Sequence, residues 1–149
     1  MIKKLLVLFF VGALVALAFS FDTVQAAKKS SKGLSADDVT TMTTTVNNLT
    51  KKMYANALFS PDDNENLIDV KIKLDDQMLV SPDPSLAPLY YKAGVLYKTR
   101  DMKDEAVDCF QTILENFADT ALAPKAAAQL KAMGVAFVAP VKKEDAGGE

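Results

Sequence analysis

The sequence predicts an all-α protein of five helices joined by short loops. Three observations support this prediction. Apolar residues recur at intervals of three and four, serine and proline residues mark helix starts, and no stretch alternates apolar and polar residues over a convincing strand length. With 149 residues, the chain is long enough for one domain with a core of its own.

Residues 1–26 have the three parts of a secretory signal peptide. Lys3 and Lys4 form its charged start, residues 5–21 form an apolar run, and small residues precede a cleavage point after Ala26. We therefore expect an exported protein. The alternative is an uncleaved anchor, because the run is close to the shortest that spans a bilayer. Membrane contact would then be confined to this N-terminal segment.

Residues 27–34 are basic and contain glycine and serine, which predicts a flexible linker. A helical domain follows over residues 35–134. Its first helix begins at Ser35, with Asp38 placed three residues later as in a capping box. One apolar stripe about five turns long then continues along this helix. Its members are Val39, Met42, Val46, Leu49 and Met53.

A second helix begins at Ser60, because Pro61 suits the first helical position and the acidic residues after it favour the positive end of a helix. It ends before Pro82, since the residue preceding a proline leaves the α region. Its predicted apolar face consists of Leu67, Val70, Leu74 and Met78, with Ile68, Ile72 and Leu79 beside them.

Three further helices complete the predicted domain. The third runs from about residue 86 to 99, the fourth from about 102 to 117, and the alanine-rich segment 118–134 supplies the fifth. Gly134 is expected to end the fifth helix in a left-handed cap. Residues 135–149 form a tail that begins apolar and ends charged and glycine-rich, and we expect it to be largely disordered.

The amino-acid composition limits the functions that this chain can have. Loss of residues 1–26 removes two lysines and one aspartate and leaves 15 basic and 18 acidic residues, which argues against binding nucleic acid. The single cysteine, Cys109, cannot form an internal disulfide, and its apolar neighbours predict a buried thiol. The chain has no histidine, so metal sites and nucleophile pairs that need histidine are excluded. We predict no catalytic residue, metal or cofactor.

Carboxylates remain as possible acid–base groups. They fall into three sets near lysines, at helix starts or on polar faces: Asp62 and Asp63; Asp75 and Asp76; Asp104, Glu105 and Asp108. Paired carboxylates can cleave glycosides, but we interpret these carboxylates as solvated surface residues. An enzyme that uses carboxylates alone is kept as an alternative function.

The third and fourth helices carry a pattern of small and aromatic residues. Its members are Tyr90, Gly94, Tyr97, Ala106 and Phe110. A glycine inside a helix costs about 0.5–1 kcal/mol relative to alanine. Burial of one large side chain contributes about 1.5–3 kcal/mol. We therefore interpret Gly94 as a packing residue that lets two helices approach while aromatic rings fill the space around the contact.

The spacing of this pattern over residues 84–118 resembles the tetratricopeptide repeat, a pair of helices of about 34 residues per unit. The resemblance implies a short right-handed solenoid of about two antiparallel helix pairs plus a C-terminal capping helix. The pattern is similar to the repeat regions of exported and periplasmic bacterial proteins that assist envelope assembly or cell division. Because one repeat cannot bury its own apolar face, neighbouring helices must stack on it.

Proteins of this family bind peptides or other proteins in a groove lined by the first helix of each pair. The resemblance therefore implies a non-enzymatic interaction or scaffold module in the bacterial periplasm or cell envelope. The candidate groove residues on the third helix are Tyr91, Lys92, Val95, Lys98 and Thr99. Their lysines suit an extended segment of a partner with some acidic character. The alternative is that the five residues form only a solvated face of the helix. The alternative to partner binding is self-assembly through the open ends of the solenoid.

Overall fold

The computed structural model describes residues 33–137, and over this range the regular secondary structure is entirely helical. This confirms the predicted all-α class. The helices are α1 (Ala36–Tyr54), α2 (Pro61–Val80), α3 (Ala87–Thr99), α4 (Lys103–Asn116) and α5 (Ala123–Ala132), with a single 3-10 turn at Pro84–Leu86. The predicted signal peptide and the end of the predicted tail lie outside the described residues.

Local sequence signals explain where the helices begin. Ser35 and Ser60 each accept a hydrogen bond from the backbone N–H three residues later, and the aspartate there accepts one from the serine N–H. The fifth helix is shorter than the predicted segment 118–134. It begins at Ala123 because Pro124 favours the first turn of a helix. Residues 117–122 instead form turns stabilised by Thr120, whose hydroxyl donates to the Phe117 carbonyl.

One apolar core joins the five helices. The predicted α1 stripe contributes three fully buried residues, and α2 contributes Leu67, Val70 and Leu74. Helix α3 shares its largest interface with α4 and also packs on α1 and α2, while α4 packs on α5. The largest buried side chains are Tyr90, Tyr97, Phe110 and Phe117. The core is therefore centred on α3 and α4.

Gly94 lies at the contact between α3 and α4. A Cβ atom added there would stand 2.8 and 2.9 Å from two ring carbons of Phe110 and 3.1 Å from the Cβ of Cys109. The ring is fully buried, and Tyr90, Tyr97 and Ala106 belong to the same core. The absence of a side chain at Gly94 thus makes room for the Phe110 ring.

The outer side of α2 differs from the prediction. Ile68, Ile72 and Leu79 were expected beside the core face, but all three are exposed. Helix α2 packs only on α1 and α3 to a substantial extent, and the side chains at positions 67, 70 and 74 already fill that contact. The three apolar side chains therefore point away from the core.

Both ends of the described chain are attached to the helices. The Leu34 N–H donates to Gln77 Oε1 at 2.7 Å, and Leu34 packs against the core, so ordered contacts begin within the segment predicted as a linker. Gly134 adopts φ +70°, and the Val135 N–H bonds the Leu130 carbonyl, which together form a Schellman cap. Val135 and Phe137 also pack against the core.

Candidate protein-binding face

The predicted groove residues lie on α3 between side chains of α1 and α5. The Lys92 Nζ donates to Asn47 Oδ1 on α1 at 2.7 Å. The Lys98 Nζ donates to Gln129 Oε1 on α5 at 2.8 Å. We call the surface formed by Asn47, Tyr91, Lys92, Lys98 and Gln129 the α1–α3–α5 face. Its two lysines are therefore held by neutral amides of flanking helices.

The other predicted groove residues are less available. The Tyr91 ring packs on Phe110 with centroids 5.7 Å apart, and its hydroxyl accepts a hydrogen bond from Gln129 Nε2 at 3.4 Å. Val95 is half-buried against the core. Thr99 is exposed, but its hydroxyl donates to the Val95 carbonyl at 2.8 Å. Tyr91 and Val95 thus serve packing and present only part of their surface.

Asn47 and Gln129 were not predicted as members of this face. Each is far from its lysine in sequence, by 45 and 31 residues. A signal was present, however, because α3 and α5 contain lysines but no acidic residue that could pair with them locally. Such lysines must find partners on other helices or remain solvated.

Acidic and basic residues are concentrated on different helices. Helices α3 and α5 each carry two lysines and no acidic residue, and α1 has two of each sign. By contrast, α2 has six acidic and two basic residues, and α4 has four acidic and one basic. The α1–α3–α5 face is consequently the basic side of a chain whose other two helices are acidic.

Carboxylates from two of the predicted sets meet around one lysine. The Lys71 Nζ donates to Asp75 and to Asp108, and Asp75 accepts a hydrogen bond from the Tyr90 hydroxyl. Burial opposes the charge of Lys71, but the hydrogen bonds that it donates to Asp108 and Asp75 outweigh this effect and raise the pKa of the lysine above its usual value. This network links α2, α3 and α4, and its carboxylates are engaged in ion pairs.

Asp63 was predicted to be solvated at a helix start, but only 8% of it is exposed. Lys52 on α1 forms an ion pair with it at 2.7 Å, and Asp63 also closes the α2 capping box. The hydrogen bonds from Lys52 and from the Ser60 backbone lower the pKa of Asp63. Asp63 therefore fastens the end of α1 to the start of α2.

The buried thiol and phenols are unsuited to chemistry near neutral pH. Burial raises the pKa of Cys109 to about 12, and burial also raises the pKa of Tyr97 to about 12. Burial, followed by the nearby charge of Asp75, raises the pKa of Tyr90 well above its ordinary value. All three groups are neutral under physiological conditions, as packing side chains should be.

Within residues 33–137, no set of three metal-binding side chains comes together. None of the helices in this range has the length and apolarity required to cross a bilayer. No protein-family model matches this chain, and no curated protein or solved structure matches it significantly. The resemblance to the tetratricopeptide repeat stays a prediction.

Proposed function

We propose that this protein is a non-enzymatic interaction module whose α1–α3–α5 face binds an acidic segment of a partner protein. The observation that carries the proposal is the placement of Lys92 and Lys98. The ammonium group of each lysine donates to a neutral amide oxygen on a neighbouring helix, and not to a carboxylate. Neither positive charge is therefore neutralised by this contact. A partner carboxylate would form the charge-assisted hydrogen bond that the amide oxygen provides only weakly.

The proposed architecture is the short right-handed solenoid that the repeat resemblance implies, with two antiparallel helix pairs and α5 as the cap. Contacts between opposite helix ends support the antiparallel pairs. Lys52 near the end of α1 binds Asp63 at the start of α2. Tyr90 near the start of α3 packs on Phe117, just beyond the end of α4, with ring centroids 6.0 Å apart. Helices α1 and α3 also pack together, as the first helices of successive repeats would.

The proposed setting is the bacterial periplasm or cell envelope, on the strength of the signal-like residues 1–26 and the family resemblance. There the module would hold an extended partner segment during envelope assembly. Because α3 supplies lysines, a tyrosine hydroxyl and half-buried apolar surface side by side, the preferred segment would combine acidic with apolar residues.

Site-specific photocrosslinking in the native envelope tests this proposal. A photoreactive residue replaces Val95 on α3, and the same residue replaces Lys103, the exposed first residue of α4, as the control. We expect partner adducts from position 95 and few from position 103. Equal recovery at both positions would refute binding at the α1–α3–α5 face.

A charge-reversal experiment tests the acidic character of the partner. The double variant Lys92→Glu/Lys98→Glu is compared with Lys103→Glu, which changes the charge of an exposed lysine on another helix. Anisotropy of a labelled peptide that alternates glutamate with leucine should show binding to the wild type and to the control but not to the double variant. Binding that survives in the double variant would contradict the proposal, and light scattering of the wild type would expose self-assembly instead.

A further inference from the structure

An apolar stripe follows the outer side of α2. It consists of Ile68, Ile72 and Leu79, which are 47%, 52% and 86% exposed. Exposed apolar residues that are scattered singly are ordinary. These three are spaced four and seven residues apart, however, so they line one side of the helix over about 16 Å, or three turns. We call them the α2 stripe.

Acidic residues border the stripe. At helical spacing, Glu65, Asp69 and Asp76 fall along one margin and Asp75 falls along the other. Both lysines of α2 are engaged: Lys71 binds Asp75 and Asp108, and Lys73 binds Asp69. Among the described residues, Glu65 and Asp76 form no salt bridge. The stripe is thus apolar at its centre and bordered on one margin by acidic residues, of which Glu65 and Asp76 are without a salt bridge to any described residue.

We propose that the α2 stripe is a second interaction surface, which binds an amphipathic helix with a basic margin from another protein. An apolar row on a helix is matched by apolar residues at intervals of three and four on a partner helix. Lysine or arginine beside that row would meet the acidic margin of α2. This surface shares no residue with the α1–α3–α5 face and goes beyond the function proposed for it.

Charge and backbone geometry argue against two simpler occupants. A second copy related by a two-fold axis would bring the acidic margins of both α2 helices together, and like charges would oppose that contact. An extended strand needs an exposed sheet edge with free backbone groups, whereas α2 satisfies its backbone within the helix. A helix of opposite charge fits both constraints.

The test uses the protein as purified from cells that express the full chain. The probe is a labelled synthetic helix of about three heptads, with leucine at the a and d positions and lysine at e and g. A matched probe carries glutamate at e and g, and a third retains the lysines but has its leucines scrambled. Fluorescence anisotropy measures each affinity. We expect binding of the lysine probe alone.

Single variants then locate the surface. Ile72→Ser and Leu79→Ser should each weaken the lysine probe by about tenfold or more. Leu58→Ser is the matched control, because Leu58 is 94% exposed and lies outside α2. It should leave the affinity unchanged. All of these side chains are exposed, so circular dichroism should show the wild-type fold in every variant.

Several outcomes would overturn the proposal. They are no binding of the lysine probe up to millimolar concentration, equal binding of the glutamate or scrambled probe, and equal effects of the stripe variants and Leu58→Ser. A dimer in sedimentation that Leu79→Ser dissolves would identify a second copy as the occupant. None of these measurements involves Lys92 or Lys98, so this inference can fail while the proposed function stands.

Discussion

Replacement of Gly94 by alanine tests the packing of α3 on α4. By helix propensity alone, alanine would stabilise the helix by about 1 kcal/mol. In the structure, the new Cβ would lie 2.8 Å from a ring carbon of Phe110 and 3.1 Å from the Cβ of Cys109. Neither neighbour can move outward, because both are fully buried. Overpacking of this kind costs about 1–3 kcal/mol.

Because the added Cβ would lie under 3 Å from a buried ring, the overpacking cost falls in the upper part of that range, at about 2–3 kcal/mol. After the propensity gain of about 1 kcal/mol is subtracted, the net expectation is a loss of about 1–2 kcal/mol in the free energy of unfolding. For a domain of this size, that loss lowers the Tm by roughly 5–10 °C. Urea unfolding followed by far-UV circular dichroism measures the free energy, and a thermal melt measures the Tm. Gly94→Leu should be more damaging, since it places a whole side chain against the same ring.

The Phe110 ring provides the control. Phe110→Leu alone leaves a cavity and destabilises the protein, but it also frees space beside position 94. The double variant Gly94→Ala/Phe110→Leu should therefore be more stable than the sum of the two single changes predicts. An alanine variant as stable as the wild type, or strict additivity in the double variant, would refute the steric explanation.

Three further predictions concern buried polar groups. The ion pair with Lys52 lowers the pKa of Asp63, so this carboxylate stabilises the fold at pH values above its unfolded pKa of about 4. That contribution is lost as pH falls through the folded pKa. In urea titrations from pH 7 to about 2, Asp63→Asn should therefore reduce the fall in the free energy of unfolding at acid pH. The Cys109 thiol, with a pKa near 12, should resist iodoacetamide at about pH 8 in the native protein and react once unfolded, as mass spectrometry would show. Tyr90→Phe removes the hydroxyl that donates to Asp75 and should cost about 0.5–1.5 kcal/mol in chemical unfolding.

Local signals in the sequence were sufficient to predict the helices, but not the contacts between side chains on different helices. The serine caps at Ser35 and Ser60 set the starts of α1 and α2, because the groups that satisfy each helix end are three residues away. The burial of Asp63 was missed, since it depends on Lys52 reaching across from another helix. The same holds for the Lys92–Asn47 bond of the candidate face, which joins residues 45 positions apart.

The amphipathic pattern of α2 also shows a limit of periodicity. A helix with apolar residues on two sides gives one broad apolar stripe in the sequence. Which side is buried depends on the positions of the neighbouring helices. Here the residues at 67, 70 and 74 are buried, and α2 packs on α1 and α3, while Ile68, Ile72 and Leu79 are exposed. The part of the helix that the sequence could not assign is the part that suggests a second partner.

The division of charge between alternate helices connects the two proposed surfaces. In a stack of helix pairs, the first and second helices of each pair line opposite sides of the stack. Helices α3 and α5 carry lysines and no acidic residue, and acidic residues outnumber basic ones on α2 and α4. In the proposed stack, the two sides would therefore have opposite charge. Each side of the proposed stack would repel the partner suited to the other, so an acidic segment and a basic helix would bind without competing. This separation suits a scaffold that joins two proteins, because each side would favour one partner and disfavour the other.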